Sequence, residues 1–176
     1  VYLGLLADYQ GVPQLLQALA ALRSQSMPVS CLVMGFPSVE RYQNQAKALG
    51  LTPQDVVFTG KVPYEAAPGY LALGDLSVAP KLSATEGSGK ILNYMAMELP
   101  VVAYDTPVNR EYLGGLGMYA APLGDAKALA DALAAVVSAP DMRQALGPQL
   151  RERARRHFSW ERSGRQLLHI YSSLQG

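Results

Sequence analysis

The chain has 176 residues, a hydrophobic fraction of 49%, 15 Lys and Arg against 14 Asp and Glu, and a formal net charge of +1. That length fits one domain with a buried core, and the near-neutral balance excludes the broad basic field that recruits nucleic acid or an anionic membrane. The single cysteine, Cys31, excludes a disulfide framework, and no apolar run approaches the ~20 residues of a membrane span.

The first apolar run, Val1 to Leu6, opens the chain as a strand with nothing before it, as expected of a piece excised from a longer protein. No basic-then-apolar leader precedes it, so a cytoplasmic location is the simplest expectation. Further strand-like runs fall at Val29 to Met34, Val56 to Phe58, Leu76 to Ala79, Val101 to Tyr104 and Met118 to Ala121. Helix-period segments lie between them at Val12 to Ser24, Ser38 to Leu49, Glu65 to Leu73, Ser88 to Met97 and Asp125 to Val137. Gly11 precedes the first helix, Gly50 follows the second in a C′ position, and Ala139-Pro140 closes the fifth.

Strands that are apolar throughout, alternating with helices, imply an α/β fold: a Rossmann-like, doubly wound, six-stranded parallel sheet with helices on both faces. Cys31 reads as a buried strand thiol. Residues 141–176 read as a tail of two helices without strands, broken at Phe158-Ser159-Trp160. Its cluster Arg151, Arg153, Arg155 and Arg156 is either a solvated face or a surface for another domain or an acidic headgroup.

In an open parallel sheet, ligands settle beyond the carboxyl ends of the strands, which directs attention to the loops after Leu6, Met34, Phe58, Pro80 and Tyr104. The first of these, Leu6-Ala7-Asp8-Tyr9-Gln10-Gly11, lacks the glycine fingerprint of dinucleotide-binding dehydrogenases. The fourth contains Glu86-Gly87-Ser88-Gly89, a turn that lets backbone approach a ligand. Glu86 suits sugar hydroxyls and the Ser88 and Gly89 amides suit phosphate oxygens, the bland alternative being an ordinary helix start.

Lys90 falls in the first turn of the expected helix, where a cation opposes the macrodipole and calls for an anion such as a diphosphate. Asn93, three residues on, shares a helical face with Lys90 and suits a ribose diol, or is a plain surface asparagine. Asp105 and Asn109, in the loop after the fifth strand, either reach a donor or, the preferred reading, cap the helix that starts at Thr106-Pro107. His157 and His169 have no carboxylate or cysteine at ligand spacing, so no metal site is expected. A receiver-type reading of the fold fails for lack of clustered aspartates at strand ends, with only Asp75 and Asp105 near.

The segment EGSGKILNYMAMELPVVAYDTP resembles the EGFGxxxLEAMAxGxPVVA segment of the retaining GT-B glycosyltransferases of family 4. In order along the chain, Val57 to Val62 resembles the FxGxV turn and Tyr70 to Pro80 the YxxADVxVxPS strand. After the central segment, Gly124 to Ala130 resembles the GDxxALA helix start and Phe158-Ser159-Trp160 the FSW before a final helix.

The resemblance implies the donor-binding half of such an enzyme, which takes a nucleotide diphosphate-sugar without metal or other cofactor and retains the anomeric configuration. The acceptor, such as a polysaccharide or glycolipid, would meet it at an N-terminal domain outside this chain, with membrane contact made through the full-length protein. By the family pattern Glu86 holds sugar hydroxyls, Gly87, Ser88 and Gly89 line the phosphates, Asn93 holds the ribose, and Gly60, Lys61 and Val62 face the nucleobase. Glu86 and Lys90 are the expected catalytic pair.

The departures are specific. Asn93 stands where the second family glutamate belongs, seven rather than eight positions after Glu86, and Glu98 replaces a glycine. The first loop lacks the Arg and Lys of GRxxxxKG, with Leu5 and Gln10 in their places. Lys90 is the expected substitute for one of them. Loss of both leaves open a catalytically inactive module that still binds a nucleotide or sugar.

Overall fold

A computed structural model describes residues 1–174. Six strands, β1 Tyr2–Leu3, β2 Cys31–Met34, β3 Val56–Gly60, β4 Ser77–Ala79, β5 Val101–Tyr104 and β6 Met118–Ala120, alternate with helices. The helices are α1 Val12–Ser24, α2 Val39–Ala48, α3 Ala67–Leu71, α4 Lys90–Ala96, α5 Pro107–Leu113 and α6 Ala126–Val137, with α7 Pro140–Phe158 and α8 Trp160–Leu174 forming the helical tail.

All strand pairs are parallel, but they form two three-stranded sheets, β1-β2-β3 and β4-β5-β6, rather than one continuous sheet of six. The sheets abut along β1 and β4, where the Val78 amide donates to the Val1 carbonyl at 3.1 Å and the Val1 ammonium to the Leu76 carbonyl at 2.8 Å. The strands therefore lie in the doubly wound order 3-2-1-4-5-6, with a seam at the centre. Its cause is the brevity of β1. Gly4, at φ 152°, turns the chain after two residues while its amide still bonds Met34, so no full ladder forms toward β4.

Neighbouring residues on each strand enter opposite hydrophobic layers: Val33 and Met34 on β2, Val78 and Ala79 on β4, Val102 and Ala103 on β5. One layer is closed by α1 and α6, the other by α4 and α7. Burial on both faces is why the strands read as unbroken apolar runs.

Helix ends obey local chemistry. After α2, Gly50 takes the left-handed C′ position, the Leu51 amide bonds the Ala46 carbonyl at 3.0 Å and the Gly50 amide the Lys47 carbonyl at 3.0 Å, a Schellman stop. The same stop ends α4, where Leu99 bonds Tyr94 and Glu98 bonds Met95, but here the left-handed residue is Glu98 at φ 60°. Thr106 caps α5 by accepting from the Asn109 amide at 3.1 Å, with Pro107 at the first helical position. Asn109 is buried and donates to the Tyr104 carbonyl, and Asp105 pairs with Arg110 at 2.6 Å.

Each arginine of the tail cluster has a partner. Arg151 pairs with Glu98 at 3.0 Å, Arg155 and Arg156 share Glu152, and Arg153 donates to the carbonyls of Tyr112 and Glu111. Arg151, Arg155 and Arg156 are exposed, whereas Arg153 is half-buried against α5. Among the described residues no helix is long and apolar enough to cross a membrane.

Candidate active site

The order of strands reverses between β1 and β4, and a doubly wound sheet opens its ligand crevice beyond the carboxyl ends at such a point. The loop after β1 and the loop after β4 meet there. Gly11, at φ 75°, lies so close to loop four that an added Cβ would stand 1.8 Å from the Pro80 carbonyl oxygen. The Leu82 amide donates to the Tyr9 carbonyl at 2.9 Å, tying the two loops a second time.

Into this junction α4 sends Lys90. Its ammonium donates to Gln10 Oε1 at 2.9 Å and lies 4.2 Å from the centre of the Tyr2 ring. Gly4 makes room, since a Cβ there would stand 2.7 Å from Lys90 Nζ. Burial first, and then the nearby charge of Lys81, lower the Lys90 pKa to about 7. Among the described residues no carboxylate pairs with it. A cation so placed carries an uncompensated desolvation cost, which an arriving anion removes.

Glu86 stands on the exposed turn before α4, and its carboxylate is held by Lys81 Nζ at 2.8 Å. Lys81 is only 7% exposed and donates also to the Gly87 carbonyl at 3.1 Å. Sequence reasoning overlooked Lys81, although its place directly after the Pro80 strand end marked it for inspection. Ser88 is buried with its hydroxyl unpartnered in the described structure. The amides of Ser88 and Gly89 bond no acceptor among the described residues. The helix starts at Lys90 rather than Ser88 and spans seven residues, so the loop's own amides, more than a macrodipole, are what it offers an anion.

Asn93 does not join Lys90. It lines a groove of about 950 Å³ between α4 and the tail helices, with Tyr64, Tyr112, Phe158 and Trp160 and with Gly89 of the glycine turn. Lys90 instead turns to the first loop. Gly60, at φ 74°, ends β3, its carbonyl accepts from the Gly35 amide at 3.0 Å, and Lys61 lies over the Phe36 ring at 5.2 Å. Val62 packs against the layer under α4. Tyr64, two residues beyond Val62, carries this segment to the Asn93 groove, another contribution the sequence reading missed. Among the described residues no cluster of His, Cys, Asp or Glu is arranged to hold a metal.

Beyond the strand ends at the switch point, the first and fourth loops thus bring together a glycine turn whose Ser88 and Gly89 amides bond no acceptor among the described residues and two lysines, Lys81 and Lys90. The sequence profile of the family described as "Glycosyl transferases group 1" matches residues 1–139. The chain belongs to the group 1 glycosyltransferases. Its relatives include the D-inositol 3-phosphate glycosyltransferase of Corynebacterium urealyticum, 32% identical over 98% of this chain and 42% of that protein. The Anabaena protein HepE, solved in complex with UDP and glucose, superposes with a TM-score of 0.82 at 21% identity, over 98% of this chain and 48% of HepE. The C-terminal domain of a group 1 glycosyl transferase (LpcC) from Francisella tularensis superposes at 0.76 with 18% identity, over 90% of this chain and 85% of that domain. These superpositions agree with the Rossmann-like GT-B fold expected from the sequence. The chain spans less than half the length of the curated relatives it matches.

Proposed function

We propose that the chain is the donor-binding half of a retaining glycosyltransferase that moves a sugar from a nucleotide diphosphate-sugar to an acceptor such as a polysaccharide or glycolipid. The observation that carries this reading is Lys90, a half-buried ammonium at the switch point with no carboxylate partner among the described residues, beside the Glu86 turn. In the proposed complex Lys90 and the Ser88 and Gly89 amides bind the diphosphate, Glu86 binds donor sugar hydroxyls, and Asn93 and the Gly60 to Tyr64 segment bind the nucleoside. As the anomeric carbon–oxygen bond breaks, negative charge grows on the departing diphosphate, and preorganised donors stabilise it more than they stabilise the ground state. An acceptor hydroxyl delivered on the same face gives retention.

The acceptor side belongs, in this reading, to a further domain of the full-length protein. The tail supports that: α8 exposes Leu167, Leu168, Ile170, Tyr171 and Leu174, and Trp160 at its start is 90% exposed, an apolar stripe that a partner surface would cover. Leu5 and Gln10, in place of the two first-loop cations, favour the second reading, an inactive binding module of the same fold.

Turnover separates the two. The full-length protein is incubated with UDP-, GDP- and ADP-sugars and candidate acceptors, and products are read by mass spectrometry and by the anomeric NMR coupling. An α-donor yielding an α-glycoside supports the enzyme; an inverted product overturns retention. Nucleotide-sugar binding without glycoside would establish the inactive module.

A further inference from the structure

We infer that Lys81 is a positioning residue of the donor site, holding the Glu86 carboxylate and the Gly87 carbonyl in place so that the turn meets the donor sugar in one geometry. The inference rests on the reading that Glu86 binds that sugar. Three observations carry it.

Lys81 is one of the few charged residues inside the protein, 7% exposed, whereas the Glu86 side chain it pairs with at 2.8 Å is 66% exposed. A buried lysine holding an exposed glutamate is not a solvated ion pair of the surface kind: the ammonium is fixed by packing, and the mobile partner is the carboxylate. The same ammonium donates at 3.1 Å to the carbonyl of Gly87, so one group grips side chain and backbone of adjacent residues. The turn has little other internal support, with the Glu86 amide donating to the Ser83 hydroxyl at 3.1 Å and the Ser88 hydroxyl left unpartnered among the described residues.

Lys81 and Lys90 are close enough for the charge of one to oppose that of the other, yet they have different tasks. Lys81 already has an anion and a carbonyl; Lys90 has only an amide oxygen and a ring face. Lys90 is thus the cation available to the diphosphate, and Lys81 acts through Glu86, on the sugar. A methionine at 81 fills the same space without the charge and leaves the Glu86–Gly87 turn untethered.

The test has two arms. In the ligand-free chain, Lys81→Met should shift and speed the exchange of the amides from Thr85 to Lys90 while leaving β5 and α6 as in the parent, and Lys81→Arg should restore most of the difference. Unchanged turn amides in Lys81→Met would overturn the inference without reference to any ligand. In the second arm, affinities are compared for UDP-glucose against UDP, GDP-mannose against GDP, and ADP-glucose against ADP. The expected result is that Lys81→Met loses the advantage of the sugar nucleotide by about tenfold while its nucleotide diphosphate affinity stays within twofold, and that Glu86→Gln adds nothing further to that loss. Equal losses for sugar nucleotide and nucleotide overturn the positioning role. If the parent binds none of the six, the donor-site reading fails, and with it the role assigned to Lys81.

Discussion

Lys90 and Gln10 are joined by a 2.9 Å hydrogen bond across the centre of the sheet, between the first turn of α4 and the loop that follows β1. The glutamine stands at the lysine position of the resembling first-loop pattern GRxxxxKG, and the ammonium reaches it from the helix after the fourth strand. On the proposed reading, Lys90 takes the place of a first-loop cation from another element at the same junction.

That placement should make donor binding proton-linked. The Lys90 pKa is lowered to about 7 by burial first and by Lys81 second, and an arriving diphosphate raises it again. Binding above pH 7 should therefore take up close to one proton, and affinity should fall as pH rises from 7 toward 9. Calorimetry in two buffers of different ionisation enthalpy measures the uptake, and Lys90→Met should abolish both it and the pH slope. For folding the sign is opposite: the unfolded lysine holds its proton between pH 7 and 10.5 where the folded one has released it, so this group's contribution to stability is complete above 10.5 and is lost as pH falls to 7.

Gly11 joins the fold to the site. Alanine there combines a left-handed φ of 75° with a Cβ placed 1.8 Å from the Pro80 oxygen. Gly11→Ala should cost at least about 2 kcal/mol by chemical denaturation. Gly147→Ala makes a comparable clash with the Glu98 carbonyl oxygen at 2.4 Å and should also destabilise, at a distance from the crevice. A stability equal to the parent in both variants would show that the close approaches relax freely.

At the end of α4, Glu98 holds a left-handed position that glycine takes in the resembling segment. Its ion pair with Arg151 is solvent-exposed and offsets little of the strain. Glu98→Gly should stabilise by up to about 1 kcal/mol, whereas Glu98→Ala, which keeps the strain and loses the pair, should not. Thermal unfolding gives the ranking, and alanine above glycine would contradict the assignment of strain.

Asn93 opens on the tail groove, apart from Lys90. Asn93→Ala should weaken nucleotide binding by roughly 1 kcal/mol without altering its proton uptake, so that the pH slope distinguishes ribose contact from phosphate contact. An affinity identical to the parent leaves Asn93 a surface residue.

Much of this was legible in the chain. Apolar strands buried on both sides announce themselves as continuous runs, so Val101 to Tyr104 and Val12 to Ser24 were read with the boundaries observed. What failed depended on long-range partners. The seam at β1 follows from a bend at Gly4 that no periodicity reports. Lys90 was singled out for its unfavourable helix position, but its companions Gln10 and Tyr2 lie some eighty or more positions away in sequence. Lys81 was overlooked because a lone lysine after a strand resembles any surface lysine until Glu86 folds over it.

The most direct measurement is ligand-observed NMR of this chain against UDP-, GDP- and ADP-sugars, with Glu86→Ala and Lys90→Met alongside. The account predicts a selective response to one nucleotide, lost in Lys90→Met, with Glu86→Ala losing the advantage of the sugar nucleotide over its diphosphate. A response that both variants retain in full would contradict a donor site at the junction of the first and fourth loops.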